Sequence, residues 1–116
     1  MNYPFEKLFL VCIGDRCNND SHGKDRGEVI AAELKDLNKQ MGRKGVARIC
    51  RVSCLDLCDH GPNIVVEPGN TVYSHLDRSD AEKVYRGEMG DAPKRTDLEL
   101  EEGELRAGTS AAARKR

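Results

Sequence analysis

The chain has 116 residues, a net charge of −1 and only five aromatic side chains, with no tryptophan among them. One domain with a core of Val, Ile and Leu is therefore expected, and the balanced charge gives no reason to expect binding to nucleic acid or to an anionic membrane. The apolar run at residues 8–13 is too short for a secretory signal or a membrane span of roughly 20 residues, so we predict a cytoplasmic protein without a membrane partner.

The first predicted elements are a strand, a long loop and a helix. Residues 7–12, KLFLVC, are short and apolar, as in a buried strand. Residues 13–27 are rich in Gly, Asn, Asp and Ser, which favour loops. Residues 28–41 place Ile30, Leu34, Leu37 and Met41 on one helical face, and Gly42 predicts the end of this helix.

Three further strands and a second helix follow. The strands are predicted at residues 45–53, 63–68 and 71–75, with EPGN as the turn of a hairpin between the last two. Residues 79–87 form the helix, where Ser79 and Glu82 make a capping-box pattern and Gly87 is the expected end. The predicted order is therefore β-α-β-β-β-α.

The composition changes after Gly90. Residues 91–116 contain no aromatic residue, an acidic cluster at 97–104 and a basic end at 114–116. We therefore expect a folded domain at 1–90 and a disordered charged tail at 91–116.

Four of the five cysteines form two pairs, Cys12-x4-Cys17 and Cys54-x3-Cys58, separated by 36 residues. Each pair lies where a predicted strand runs into a loop. A helix that connects two strands makes them parallel neighbours, so their carboxyl ends lie at one edge of the sheet. This topology predicts that the two cysteine pairs meet there.

The spacing leaves the nature of the site open. Clustered cysteines in a reducing compartment favour a metal site over a stable disulfide. Zinc commonly uses C-x2-C pairs, whereas wider and unequal pairs suit a 2Fe-2S cluster; a redox disulfide is the third alternative. Cys50 is expected to be a buried strand residue, and His22 and His60 to be ordinary loop residues.

The C-x4-C and C-x3-C pairs, together with CLDLCDHGP and VYSHL, resemble the thioredoxin-like 2Fe-2S ferredoxin family. The resemblance implies a fold that also forms the small iron–sulfur subunit of NADH dehydrogenases and related hydrogenases. The resemblance covers about residues 6–90. It implies an α/β, thioredoxin-like fold with a mixed sheet and helices packed on it.

The resemblance also implies a function. The cofactor would be a 2Fe-2S cluster, with Cys12 and Cys17 on one iron and Cys54 and Cys58 on the other. The protein would be a non-enzymatic one-electron carrier between redox partner proteins, and it would form a homodimer. Two alternatives are a subunit or docking module of an NADH dehydrogenase or hydrogenase complex and a zinc-stabilised interaction domain. The eleven residues before Cys12 favour a free-standing carrier over a complex subunit.

Overall fold

A computed structural model describes residues 1–14, 25–55 and 61–101. Within these ranges the predicted order β-α-β-β-β-α is confirmed, and no helix is long and apolar enough to cross a membrane. The elements are β1 (Lys7–Cys12), α1 (Gly27–Gln40), β2 (Ala47–Val52), β3 (Ile64–Glu67), β4 (Thr71–Tyr73) and α2 (Arg78–Glu88), followed by a 3-10 turn at Thr96–Leu98.

The strands form one mixed sheet in the order β2-β1-β3-β4. β1 and β2 are parallel, with Lys7 opposite Ala47 and Cys12 opposite Val52. β3 is antiparallel to β1, and β4 is antiparallel to β3. The predicted parallel pair with α1 as its crossover is therefore confirmed, and so is the mixed α/β sheet.

The core lies between one face of this sheet and the two helices. α1 packs on β1 and β2 and also contacts α2. Because strand side chains alternate between faces, the helix-covered face takes every second residue, including Phe9, Val11, Ile49, Ile64, Val66 and Tyr73. The other face, called here the open sheet face, carries one half-buried row across the four strands: Cys50, Leu10, Val65 and Val72.

The apolar stripe of α1 is confirmed except at its end. Ile30 and Leu34 are fully buried in the core. Met41 lies beyond the last helical residue and is 40% exposed. Gly42 adopts φ 69° and donates its N–H to the carbonyl of Lys39, which satisfies a helix-end acceptor in a conformation that favours glycine. The predicted stop at Gly42 is therefore confirmed.

The hairpin between β3 and β4 is also confirmed, although β4 is shorter than predicted. Gly69 and Asn70 in the turn have φ values of 116° and 52°, as a tight reversal requires. β4 ends at Tyr73 rather than at residue 75, because His75 has φ 53°. An extended strand does not accommodate that left-handed conformation.

The start of α2 differs from the prediction. Asp77, not Ser79, caps the helix: its side chain accepts a 2.8 Å hydrogen bond from the N–H of Asp80. The Asp80 carboxylate accepts in return from the N–H of Asp77, so the capping box is Asp77–Asp80 instead of Ser79–Glu82. The sequence contains two overlapping boxes, and an aspartate is as good a cap as a serine.

The end of α2 also differs. Gly87 does not stop the helix but lies buried inside it, because residues 93 and 94 pass directly over it. A Cβ at Gly87 would lie 3.0 Å from the Lys94 Cα and 3.1 Å from the Pro93 carbonyl oxygen. The helix ends at Glu88, and Gly90, which has φ 82°, lies two residues beyond that end.

Residues 91–101, which belong to the stretch expected to be a tail, contact the domain. Leu98 packs against the core, the Ser74 N–H donates to the Leu98 carbonyl, and the Leu100 N–H donates to the Val72 carbonyl. These bonds cover the outer edge of β4, which would otherwise leave backbone groups unpaired. The remaining part of the predicted tail, residues 102–116, lies outside the described residues.

Candidate metal centre

The candidate site lies at the edge of the sheet where the parallel strands β1 and β2 end. Cys12 is the last residue of β1, opposite Val52, and Cys54 follows β2 by two residues. The first cysteine of each predicted pair is therefore at the same edge of the sheet. Cys12 is fully buried, whereas Cys54 is exposed.

Hydrogen bonds on both sides fix the backbone that carries Cys12. The Cys12 N–H donates to the Asn63 carbonyl at 3.3 Å, and the Ile13 N–H donates to the Val52 carbonyl at 2.9 Å. β1 is a central strand, so its end is held between β2 and the start of β3. The position of the buried thiol is consequently set by three strands rather than by a loop.

Gly14 allows the chain to leave β1 beside the end of β2. A Cβ at this position would lie 2.5 Å from the Ser53 carbonyl oxygen and 3.8 Å from the Cys12 Sγ. Carbon and oxygen atoms without a covalent bond do not approach to 2.5 Å, so the close passage of the two backbones requires glycine. The sequence around Gly14 does not by itself predict this packing role.

The segment after the second cysteine pair, residues 61–63, also lies at the sheet edge that carries Cys12. Gly61, Pro62 and Asn63 are all buried, and the Pro62 carbonyl accepts a 3.0 Å hydrogen bond from the Leu76 N–H. Both ends of the stretch that contains Cys58 are thereby placed at the edge where Cys12 lies.

Both helices begin at this edge. β4 runs parallel to β1, because each is antiparallel to β3, so α1 and α2 start where β1 and β4 end. The Arg78 N–H donates to the Asp25 carboxylate at 2.9 Å, which joins the two helix starts. The amino-terminal ends of both helices therefore lie toward this edge of the sheet, and the start of α2 already donates hydrogen bonds to the carboxylates of Asp25 and Asp77.

The structure places two of the four predicted ligands, Cys12 and Cys54, at one edge of the sheet. Cys17 and Cys58 lie outside the described residues, and so do His22 and His60. The four-cysteine ligand set therefore remains a prediction.

Cys50 occupies mid-strand β2 as expected, but it is half-buried rather than buried, because it lies on the open sheet face. It is opposite Leu10, two residues before the level of Cys12. Its strand position separates it from the edge at which Cys12 and Cys54 lie.

Away from the edge, a buried polar network ties the sheet to the end of α2. The Glu88 side chain is 2% exposed and accepts hydrogen bonds from the Tyr73 hydroxyl at 2.6 Å and the Lys7 Nζ at 2.9 Å. Burial raises the pKa of Glu88, but these two donors outweigh it and leave the pKa below its usual value. Burial and the bond to Glu88 raise the pKa of Tyr73. Both residues thus keep fixed protonation states near neutral pH.

No protein-family model matches the chain, and no curated protein matches its sequence. Solved structures of similar architecture do exist. The chain is similar to the wild-type thioredoxin-like 2Fe-2S ferredoxin from Aquifex aeolicus, with a TM-score of 0.65 and 20% identity over 84% of this chain and 99% of the ferredoxin.

Two cysteine-to-serine variants of the same Aquifex aeolicus ferredoxin are similar in the same way. One has a TM-score of 0.66 and 14% identity, and the other a TM-score of 0.66 and 18% identity. Each alignment covers 83% of this chain and 99% of the variant. The chain therefore has the fold of the thioredoxin-like 2Fe-2S ferredoxin.

Proposed function

We propose that this chain is a 2Fe-2S ferredoxin that carries single electrons between redox proteins and transforms no substrate itself. The observation that carries the proposal is the position of Cys12 and Cys54 at the shared end of two parallel strands. Each of the two is the first cysteine of a predicted pair. The fold is that of the 2Fe-2S ferredoxin from Aquifex aeolicus. The proposed ligands are Cys12, Cys17, Cys54 and Cys58.

The residues around the two thiols fit an anionic cluster. An oxidised cluster with four thiolates has a formal charge of about −2, and reduction adds a further negative charge. Two thiols held at one sheet edge supply sulfur ligands of the kind that such a cluster takes. The fully buried Cys12 lies in a region from which water is excluded, and a rigid strand end suits a ligand that must not move between two redox states.

When bound, the cluster supplies one-electron chemistry; the chain determines where it is accessible. Cys12 is fully buried and its backbone is bonded to Asn63, whereas Cys54 is exposed. We therefore expect a redox partner to approach from the side of Cys54.

The open sheet face supports the proposed homodimer. Its row of half-buried side chains, Leu10, Cys50, Val65 and Val72, carries no charge, and a second copy of the same row would cover it. This face lies opposite the helices, so pairing of two copies would leave the site edge of each accessible.

Electron paramagnetic resonance tests the proposal. Protein purified without oxygen should be silent when oxidised and should give the signal of about one unpaired electron per chain after reduction by dithionite. A zinc-stabilised domain would give no signal and would be colourless. A tight complex with an NADH dehydrogenase or hydrogenase at endogenous abundance would support the subunit alternative instead of the free carrier.

A further inference from the structure

A groove runs along the outer edge of β2, on the side of the sheet away from β4. It has a volume of about 310 Å³ and lies between the strand and the second half of α1. Its lining residues are Lys35, Asn38, Lys39, Lys44, Ala47, Arg48 and Ile49. Neither the cysteine pairs nor the proposed cluster involves this region.

The groove concentrates positive charge. Four of its seven lining residues are Lys or Arg, and none of the seven is acidic, although the whole chain has a net charge of −1. Lys35, Lys39 and Lys44 are exposed and form no ion pair with another residue that the structure describes. The Arg48 guanidinium lies over the Phe5 ring, 5.5 Å from its centre, and keeps its charge at the strand edge. The positive charges of the groove therefore face solvent, and no carboxylate among the described residues is paired with the three lysines.

The edge of β2 also offers backbone groups. The carbonyls of Val46 and Val52 accept hydrogen bonds from the β1 side. In a parallel strand the backbone groups of alternate residues point to opposite sides, so Ile49 and Arg51 direct theirs outward. No described residue pairs with them, whereas the opposite edge, on β4, is covered by residues 98–100.

The floor of the groove is rigid. Asn38 is 5% exposed and donates from Nδ2 to the Ala47 carbonyl at 3.0 Å. The Tyr85 hydroxyl donates in turn to the Asn38 Oδ1 at 2.6 Å. These hydrogen bonds occupy the carbonyl of Ala47, the first backbone carbonyl of β2 that points outward. The outward backbone groups of Ile49 and Arg51 remain accessible.

We infer that this edge binds an extended acidic polypeptide segment of a partner protein as an added strand. The backbone of the segment would bond to Ile49 and Arg51, and its carboxylates would lie beside Lys35, Lys39 and Lys44. A second copy of this chain is a poor partner for the β2 edge, because pairing of the two β2 strands would bring their lysine and arginine side chains together. A nucleic acid would meet the charges but leave the outward backbone groups without strand partners.

The binding itself does not depend on the cluster. One consequence does rest on the proposed function: β2 ends two residues before Cys54, so a segment added to β2 would anchor its protein beside the site that exchanges electrons. Binding and cluster content can be measured separately, so a failure of one is distinguishable from a failure of the other.

Fluorescence anisotropy with a labelled ten-residue peptide of alternating Glu and Val tests the charge component. At low salt the full-length protein should bind it more tightly than the matched peptide of alternating Lys and Val. The double variant Lys39→Glu, Lys44→Glu should weaken binding by about tenfold, the effect of reversing two exposed charges. Lys83→Glu makes the same type of change at an exposed site on α2 and should alter the affinity less than twofold. Equal affinities for the two peptides, or an unaffected double variant, would overturn the inference.

A second pair of probes tests strand addition. A peptide of alternating Glu and Pro has the same charge but lacks half of the N–H groups, so it should bind at least about tenfold more weakly. In amide NMR spectra the Glu-Val peptide should shift the signals of Ile49 and Arg51 more than that of Lys83. Equal binding of the proline peptide, or tighter binding of a ten-nucleotide single-stranded DNA, would show a general polyanion site and refute strand addition.

Discussion

Replacing Gly14 with alanine introduces one methyl group where the chain leaves β1 beside the end of β2. The new Cβ would lie 2.5 Å from the Ser53 carbonyl oxygen, so the ends of β1 and β2 must separate by about 0.5 Å to relieve the contact. Cys12 is two residues from Gly14 in the sequence, and Cys54 is next to Ser53. Overpacking of this kind costs about 1–3 kcal/mol of unfolding free energy, and a displacement of about 0.5 Å is enough to impair a preorganised site.

Gly45→Ala is the matched control, since a Cβ at Gly45 has no neighbour within 4 Å and its φ lies outside the left-handed region. Urea denaturation should show the loss of stability in Gly14→Ala and no comparable loss in Gly45→Ala. Visible absorbance per chain after anaerobic purification should fall in Gly14→Ala only. A Gly14→Ala protein with the stability and absorbance of the wild type would refute the argument that this close approach positions the two cysteines.

Three further predictions concern the ligands, the buried network and assembly. Serine at each of the four proposed ligands should abolish or sharply change the visible spectrum, whereas Cys50→Ser should leave it nearly intact; the positions are Cys12, Cys17, Cys54 and Cys58. Tyr73→Phe removes a hydrogen bond to the buried Glu88 carboxylate and should lower the unfolding free energy by about 1.5–3 kcal/mol at neutral pH. Because the pKa of Glu88 is lowered in the folded state, the contribution of that bond should disappear as the pH falls through this lowered pKa, and denaturation of both proteins from pH 7 to pH 3 would test this. Sedimentation should show a dimer at micromolar concentration and a monomer for Val65→Lys; a monomeric wild type would contradict the assembly.

The sequence was sufficient to predict the features that position the cysteines. Apolar runs and one helical stripe set the order of elements, and the helix between two strands required them to be parallel. The placement of Cys12 and Cys54 at one edge followed from that topology, without information on side-chain contacts.

The structure differs from the sequence predictions at positions where the local sequence allows two helix boundaries and the contacts with neighbouring elements favour one of them. Asp77 and Ser79 are both good helix caps, and the structure uses the first, next to the bond from the Arg78 N–H to the Asp25 carboxylate. Gly87 resembles a helix end, but its missing side chain makes room for residues 93 and 94.

The contacts of residues 98–100 with the end of β4 were not predicted for a similar reason. Leu98 and Leu100 alternate with acidic residues, a period-two pattern that is too short to identify a strand by itself. It becomes ordered because the β4 edge supplies partners. The basic groove was missed for the same reason: its lysines come from separate segments that only the fold brings together.

The central claim is tested most directly by the mass of the folded, anaerobically purified protein. Native mass spectrometry should show each chain carrying about two irons and two sulfides, and chemical assays of iron and acid-labile sulfide should agree. Stoichiometric zinc without labile sulfide would contradict the proposal that this chain is a 2Fe-2S electron carrier.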